Sequence, residues 1–302
     1  FVFPPPGLDA SDSYFSREDR DAPGRLYIGA MNNGVFGSLS TLIQGSAAAA
    51  FAVKHLANAG PDSEARRLAV DSYWTQVIYH NSRHELGKTT TILRDDVENR
   101  LTSLEPVEEL RRSFKHVEEL SGNLKSGSDV SAALERLKVA WPDEDAIDVL
   151  ACTNMISVGV DVARLGLMII KGQPKTTSEY IQATSRVGRS AGRPAGIVLT
   201  LYSSTRPRDR SHYETFQQYH HALYRWVEPT SVTPFAPPAL DRTLHAAIVL
   251  TVRHLLNLES NDSASKFDIN EAEIKAALNV LDERLLAACP AEDRDRTRER
   301  FW

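Results

Sequence analysis

The sequence predicts an open α/β fold, a parallel sheet flanked by helices, followed by a helical C-terminal extension. Three observations lead there. Short, nearly continuous apolar runs occur at Ile147–Cys152, Leu167–Ile170 and Gly196–Leu201, the pattern of strands buried on both faces. Thr176 and Glu179 have capping-box spacing, which predicts a helix between the second and third runs. From about residue 206 the pattern turns helical.

Taken in order, residues 1 to about 24 are rich in Pro, Asp and Ser and read as a connecting arm. Residues 25–205 form the α/β lobe, with Arg25–Gly29 as its first strand. The Gly- and Ala-rich stretch after Gly34 becomes helical through Ala47–Leu56. Trp74–His80 predicts a strand, and Leu86, Leu93 and Val97 then recur at helical spacing. Residues 102–141 read as acidic helical segments with Leu134 and Leu137 on one face. Residues 206–302 form the extension. Leu244–Leu258 is apolar nearly all round apart from His245, Arg253 and His254, which predicts a buried or interface helix. Asn270 with Glu273 is expected to cap another, whose Ile274, Leu278, Leu281 and Leu285 form one stripe that Pro290 terminates. Internal repeats are not evident.

Composition is globular, with 42% hydrophobic and 25% charged residues among 302, enough for one large or two ordinary domains. No apolar stretch is long enough for a bilayer, so no membrane partner is expected. The start, Phe-Val-Phe-Pro-Pro-Pro, lacks the features of a signal peptide and an initiator methionine, and a fragment is expected. Cys152 and Cys289 are the two cysteines. The first falls in a predicted buried strand, so a reducing, cytoplasmic location without a disulfide is expected. A formal net charge of −5 argues against holding nucleic acid through bulk basicity. It leaves room for a local strip drawn from Arg83, Arg186, Arg189, Arg193, Arg206, Arg208 and Arg210.

The chemistry concentrates in Tyr180–Arg189. On a continuous helix Gln182, Arg186 and Arg189 share one face, at steps of four and three residues. Such a face aims two guanidinium groups at one polyanion, with phosphate oxygens as the natural target. The plainer alternative is a surface helix whose arginines pair with nearby carboxylates. Thr153, Gly159 and Asp161 lie just past the Ile147–Cys152 strand. Ligands gather at the carboxyl ends of strands in open α/β sheets, so these residues and the arginines are expected to converge on one rim.

Other candidates are weaker. Ser82–Thr89 approximates a phosphate loop but has Ser82 where the pattern needs its first glycine, and reads as an ordinary helix with a solvated Lys88. Asp95-Asp96 and Asp143-Glu144-Asp145 read as a solvated helix end and turn. His212, His220 and His221 lack the spacing of a metal site; the aromatics among them, Tyr213 to Trp226, are expected to pack against the lobe rather than stack on bases. No metal ligands are assigned.

Thr153–Asp161 resembles motif V of superfamily 2 helicases and Gln182–Arg189 resembles motif VI. Together they resemble the second RecA-like lobe of a nucleic-acid-dependent ATPase. Phe3–Phe15, Trp74–Leu86 and Gly172–Tyr180 are similar to the DrmA-type helicase subunit of DISARM anti-phage defence systems. The resemblance implies Arg189 as the arginine finger at the γ-phosphate and Arg186 beside it, sensing hydrolysis. It implies Gln182 as ordering the phosphate side of the cleft, Asp161 as holding a ribose hydroxyl, and Gly159 as allowing close approach of nucleotide. Thr153 would bind a nucleic-acid phosphate, with Asn81, Ser82 and Arg83 at motif IV touching the strand backbone and Lys125 a weaker candidate. Ser185 replaces the glycine common before the first arginine of motif VI, and Asn154 the acidic residue often found after the threonine of motif V.

The implied cofactor is ATP with Mg2+, its magnesium ligands lying in a first RecA-like lobe outside this chain. The implied partners are single-stranded or duplex DNA, that first lobe and a defence-system subunit. The expected function is the C-terminal half of a helicase or translocase, inactive alone. The alternative is a non-catalytic RecA-like module that binds nucleic acid or protein.

Overall fold

The computed structural model describes residues 21–32, 37–120, 127–154, 161–228, 233–258, 260 and 262–302. Its strands are β1 (Arg25–Met31), β2 (Gln76–His80), β3 (Val117–Leu120), β4 (Val149–Cys152), β5 (Leu167–Lys171) and β6 (Gly196–Tyr202). They form one sheet in the order β1-β6-β5-β2-β4-β3, and every pairing is parallel. Between strands run α1 (Ser38–Asn58), α2 (Glu64–Trp74), α3 (Arg83–Ile92), α4 (Glu98–Leu104), α5 (Gly127–Leu137) and α6 (Thr177–Thr184). A π-helical turn, Leu93–Val97, joins α3 to α4.

The apolar runs are continuous because both sheet faces are covered. Val77, Tyr79, Leu150, Cys152, Met168, Ile170 and Val198 face one core, closed by Leu137, Tyr180 and Ala183. The intervening Ile78, Val149, Ile169 and Leu201 face the other, closed by Leu42, Ala47, Ala50, Leu93 and Val97. Side chains alternate between faces along each strand, so each strand serves two cores. Each large side chain removed from water contributes roughly 1.5–3 kcal/mol.

Two features depart from expectation. The acidic segment contains an edge strand, β3, whose Glu118 and Glu119 hide it from an apolar-run search. Charged residues are a usual device on an exposed edge. The first long helix begins at Ser38, well before Ala47, because its Leu42, Ser46 and Ala47 are buried, which a Gly- and Ser-containing sequence does not advertise.

The first compact unit runs to Glu228 and the second from Pro229 to Trp302, whereas the extension was expected from residue 206. The chain past 206 is tied to the sheet. Asp209, in α7 (Pro207–Glu214), accepts the backbone N–H groups of Gln173 (3.0 Å) and Ser203 (2.8 Å). Tyr219, in α8 (Phe216–His221), joins the first core.

The second unit packs α9 (Pro237–Leu255), α10 (Ala272–Ala288) and α11 (Arg294–Phe301) around Val252, Ile274, Leu278 and Phe301. Leu281 and Leu285 complete the expected stripe. In α9, Leu240 is buried and the Leu244–Ile248–Val252 stripe packs inward, at four-residue steps, while Val249, Leu250 and Leu255 are exposed. One expectation is corrected. Asn270 caps nothing: α10 begins after Glu271 without a side-chain cap, and Asn270 is itself held by Asp268. Among the described residues no helix is long and apolar enough to cross a membrane.

Beside the amino ends of β2 and β5, Asp71 gathers three segments. Its carboxylate accepts from Arg193 (2.7 Å) and from the backbone N–H of Trp141 (2.9 Å), and it lies 3.5 Å from Arg164. Arg164 is buried and also donates to Thr75 and to the Leu137 carbonyl. Burial lowers the Arg164 pKa, with Asp71 opposing the shift. Removing one partner of a buried pair leaves an uncompensated charge. Asp71→Ala is expected to cost about 3 kcal/mol, read as a lowered urea midpoint of unfolding.

Candidate functional site

The helix carrying the candidate arginines is built at both ends by distant residues. At its start Thr176 Oγ1 accepts the Glu179 N–H (3.2 Å), one half of the expected capping box. The Glu179 carboxylate turns away and accepts the Tyr79 hydroxyl (2.6 Å). The Glu228 carboxylate accepts the Thr177 N–H at 2.9 and 3.0 Å and its hydroxyl at 3.2 Å. Desolvation pushes the Glu228 carboxyl upward, but these bonds outweigh it and hold the group below its ordinary range. In mid-helix, fully buried Tyr180 meets Thr200 Oγ1 (3.1 Å) and His220 Nε2 (3.0 Å) through its hydroxyl.

The helix ends at Thr184, and the expectation of one helical face through Arg189 is corrected here. Arg186 and Val187 donate to Ala183 and Thr184, three residues back, a tightened last turn. Gly188 then adopts φ +63° and donates to the Leu165 carbonyl at 2.8 Å. A Cβ on Gly188 would lie 2.5 Å from Gly196 Cα, so the glycine satisfies both a left-handed backbone and a backbone-to-backbone contact. Gln182 remains exposed on the helix, Arg186 is half-buried in the turn, and Arg189 emerges exposed beyond it.

Arg189 Nη1 meets Asp161 Oδ1 at 2.9 Å. Two of the expected nucleotide contacts, from different crossover segments, are thus neighbours. The pairing is also what the plainer alternative, arginines against carboxylates, anticipates. Gly159 and Lys125 lie outside the described residues.

The expected single rim becomes two. Asp161 and Gly188 border the Val162–Leu165 segment entering β5, and Arg25 at the start of β1 touches the turn, so Arg186 and Arg189 belong to the amino edge of the sheet. Thr153 lies at the carboxyl edge, buried at the end of β4, with its N–H on the Leu120 carbonyl (3.3 Å). Ser82 and Arg83 share that edge: Ser82 Oγ caps α3 by accepting the Glu85 N–H (3.3 Å), and Arg83 is exposed. The separation follows from α6 running back against the strands, so its last residues arrive where β6 begins.

Neighbours of the carboxyl rim are constrained. Asn81 Nδ2 donates to the Lys171 and Gly172 carbonyls at 3.1 Å, and Arg206 meets Glu85 at 2.5 Å. His80 is fully buried, and burial, with Lys171 adding to it, drops its pKa to about 3. Burial likewise lowers the Lys171 pKa, with Glu85 opposing. Gly87, Lys88 and Thr89 lie inside α3, a helix rather than a phosphate-cradling loop. His220 Nδ1 donates to the Phe216 carbonyl and its Nε2 meets the Tyr180 hydroxyl, and Tyr219 and Phe216 pack within the aromatic cluster, while Tyr224 and Trp226 are exposed. Among the described residues no three His, Cys, Asp or Glu side chains are grouped to hold a metal.

Residues 76–191 match the helicase conserved C-terminal domain. This stretch is similar to the C-terminal domain of helicases. Over 255 residues the chain is 44% identical to the DISARM protein DrmA of Bacillus paralicheniformis (strain ATCC 9945a / NCIMB 11709 / CD-2), which covers 83% of this chain and 22% of that protein. The chain therefore spans about a fifth of that relative's length. In fold, the lobe is similar to the DUF1998 helicase MrfA bound to DNA, with a TM-score of 0.50 and 15% identity over 76% of this chain and 28% of that one.

Sequence reasoning missed Arg25, which holds the turn, Glu228, which holds the start of α6, and Asp71, which holds Arg164 and Arg193. Gly188→Ala is expected to destabilise the lobe by at least about 2 kcal/mol, since strain at a left-handed residue adds to backbone overlap; chemical denaturation measures it. Glu228→Gln is expected to lower the thermal midpoint at neutral pH. A depressed carboxyl pKa gives stability that is present above the ordinary value, about 4.3, and lost as pH falls through the folded one. The gap between Glu228→Gln and the unaltered protein should therefore close in scans run at increasingly acid pH.

Proposed function

We propose that this chain supplies the second, C-terminal RecA-like lobe of an ATP-dependent DNA helicase or translocase acting in anti-phage defence. In this reading Arg189 is the finger at the γ-phosphate and Arg186 its neighbour. Asp161 holds a ribose hydroxyl, Gln182 orders the phosphate side, and Gly159 admits the nucleotide. Thr153, Ser82 and Arg83 bind strand phosphates from the opposite edge of the sheet. The observation that carries the reading is the finger turn: two arginines leave one braced turn, and the outer one already meets Asp161. A packed sheet has no need of this grouping for its own stability. The identity to a DISARM protein supports the defence role.

The residues fit part of a nucleotide site. Guanidinium groups suit phosphate oxygens, and an exposed carboxylate suits a hydroxyl donor. Bound ATP with Mg2+ supplies a phosphoryl group for transfer to water, and the magnesium ligands are assigned to a first RecA-like lobe. This chain's arginines stabilise charge on the transferring group, the kind of contribution worth about 10³–10⁵ in rate. The chain alone is expected to hydrolyse no ATP. Its partners in this proposal are DNA, single-stranded or duplex, the first lobe and a defence-system subunit, and its location is the cytoplasm.

The test is ATP hydrolysis by the full-length protein with and without single-stranded DNA, native against Arg189→Ala. The expected result is strand-stimulated hydrolysis that falls at least about 10³-fold in the variant. Robust hydrolysis untouched by the substitution would remove Arg189 from the cleft. Absence of hydrolysis with any strand or partner would favour a binding module.

A further inference from the structure

Arg25 is the first residue of β1, an edge strand, and belongs to none of the helicase motifs. Its guanidinium nevertheless reaches across 160 residues of sequence to the finger turn. Nε donates to the Val187 carbonyl at 2.7 Å and Nη2 to the Ser185 carbonyl at 3.2 Å. These two carbonyls flank Arg186. The Ser185 carbonyl, at the helix C-cap, is among those a helix leaves without intrahelical partners, and a cation there is favoured by the helix dipole. Arg25 is half-buried, so both bonds are partly shielded from water.

The grip is fixed from the sheet side as well. Arg25 pairs with Gly196 in the β1–β6 register, and the Gly196 N–H donates to the Gly24 carbonyl at 3.0 Å. Gly196 is the same residue whose Cα lies against Gly188. One guanidinium therefore ties Ser185 and Val187 to the strand pair that Gly188 abuts. Gly188 turns the chain and Arg25 sets the plane of the peptides on either side of Arg186. A lysine could not reproduce this, because a single ammonium does not present the planar fork that meets two carbonyls at once.

We propose that Arg25 is a positioning residue for the arginine pair, fixing the turn so that Arg186 and Arg189 leave it in set directions. This rests on the reading that those arginines face a nucleotide. Rate is sensitive to small misplacement of catalytic groups, and a loose turn raises the cost of aligning them without removing either charge.

The experiment uses full-length protein and strand-stimulated ATP hydrolysis. It compares Arg25→Ala, Arg25→Lys, Arg189→Ala and the Arg25→Ala/Arg189→Ala pair, with a thermal midpoint for each. Arg25→Ala is expected to lower kcat roughly tenfold and to leave KM for ATP within about twofold, with Arg25→Lys falling between. In the Arg189→Ala background the same change is expected to cost under about threefold, since part of what it positions is already gone. Unchanged kcat in a folded Arg25→Ala protein, beside a collapsed Arg189→Ala, would overturn the proposal alone. Equal losses in both backgrounds with a lowered midpoint would also overturn it and leave Arg25 a stabilising residue. An inactive-site reading is separated from these by Arg189→Ala itself: if that variant is fully active, the underlying assignment falls and takes this one with it.

Discussion

Parallel pairing throughout the sheet is the constraint on which the rest depends. Strands that all point one way require each connection to carry the chain from the carboxyl edge back to the amino edge. The connection between β4 and β5 begins with Thr153 at one edge and reaches Asp161 at the other before β5 opens at Leu167. Helix α6 makes the same journey, starting after Thr176 beside Glu228 and leading to Gly188, which lies against Leu165 and Gly196 between the two arginines. A five-residue strand is about 16 Å long. The sheet therefore separates Thr153, Ser82 and Arg83 at one edge from Asp161, Arg186 and Arg189 at the other.

Rigidity at the amino edge comes from neighbours that are chemically unlike. Gly188 and Gly196 contribute the absence of side chains, Arg25 contributes donors to carbonyls, and Asp71 holds Arg164 and Arg193 on either side of the turn in sequence. Direct backbone contact sets position, while the charged groups set orientation. The buried Asp71 carboxylate also joins α2 to the start of the loop after Val139 through the Trp141 N–H. The turn is thus braced from the sheet, from a strand terminus and from a helix end.

Much of this was legible in sequence where a residue's role is local or repeats. The strands at Val149–Cys152, Leu167–Lys171 and Gly196–Tyr202 showed themselves because both faces are buried and every position had to be apolar. The Thr176 cap was legible because capping acts over three residues. The edge strand Val117–Leu120 was not, because solvent on its open side permits glutamates. The end of α6 was not, because nothing local distinguishes a glycine at φ +63° from one inside a helix. Residue types at Thr153, Asp161, Gln182, Arg186 and Arg189 were readable, but their division between two edges depends on the direction of a helix against a sheet. Arg25 and Glu228 act across 160 and 51 residues, distances over which one sequence carries no pairing signal.

The Arg189–Asp161 contact has an energetic side. Both groups are exposed, with side chains 39% and 73% accessible, and exposed ion pairs are worth about 0–1 kcal/mol. So small a well orients the guanidinium without imprisoning it. An anion that claims Arg189 releases the Asp161 carboxylate in the same event, and a hydroxyl that occupies Asp161 frees the guanidinium in turn. By linkage each exchange then favours the other to the same degree. Under the proposed function the pair would act as a latch whose two halves open together, more easily as ionic strength rises.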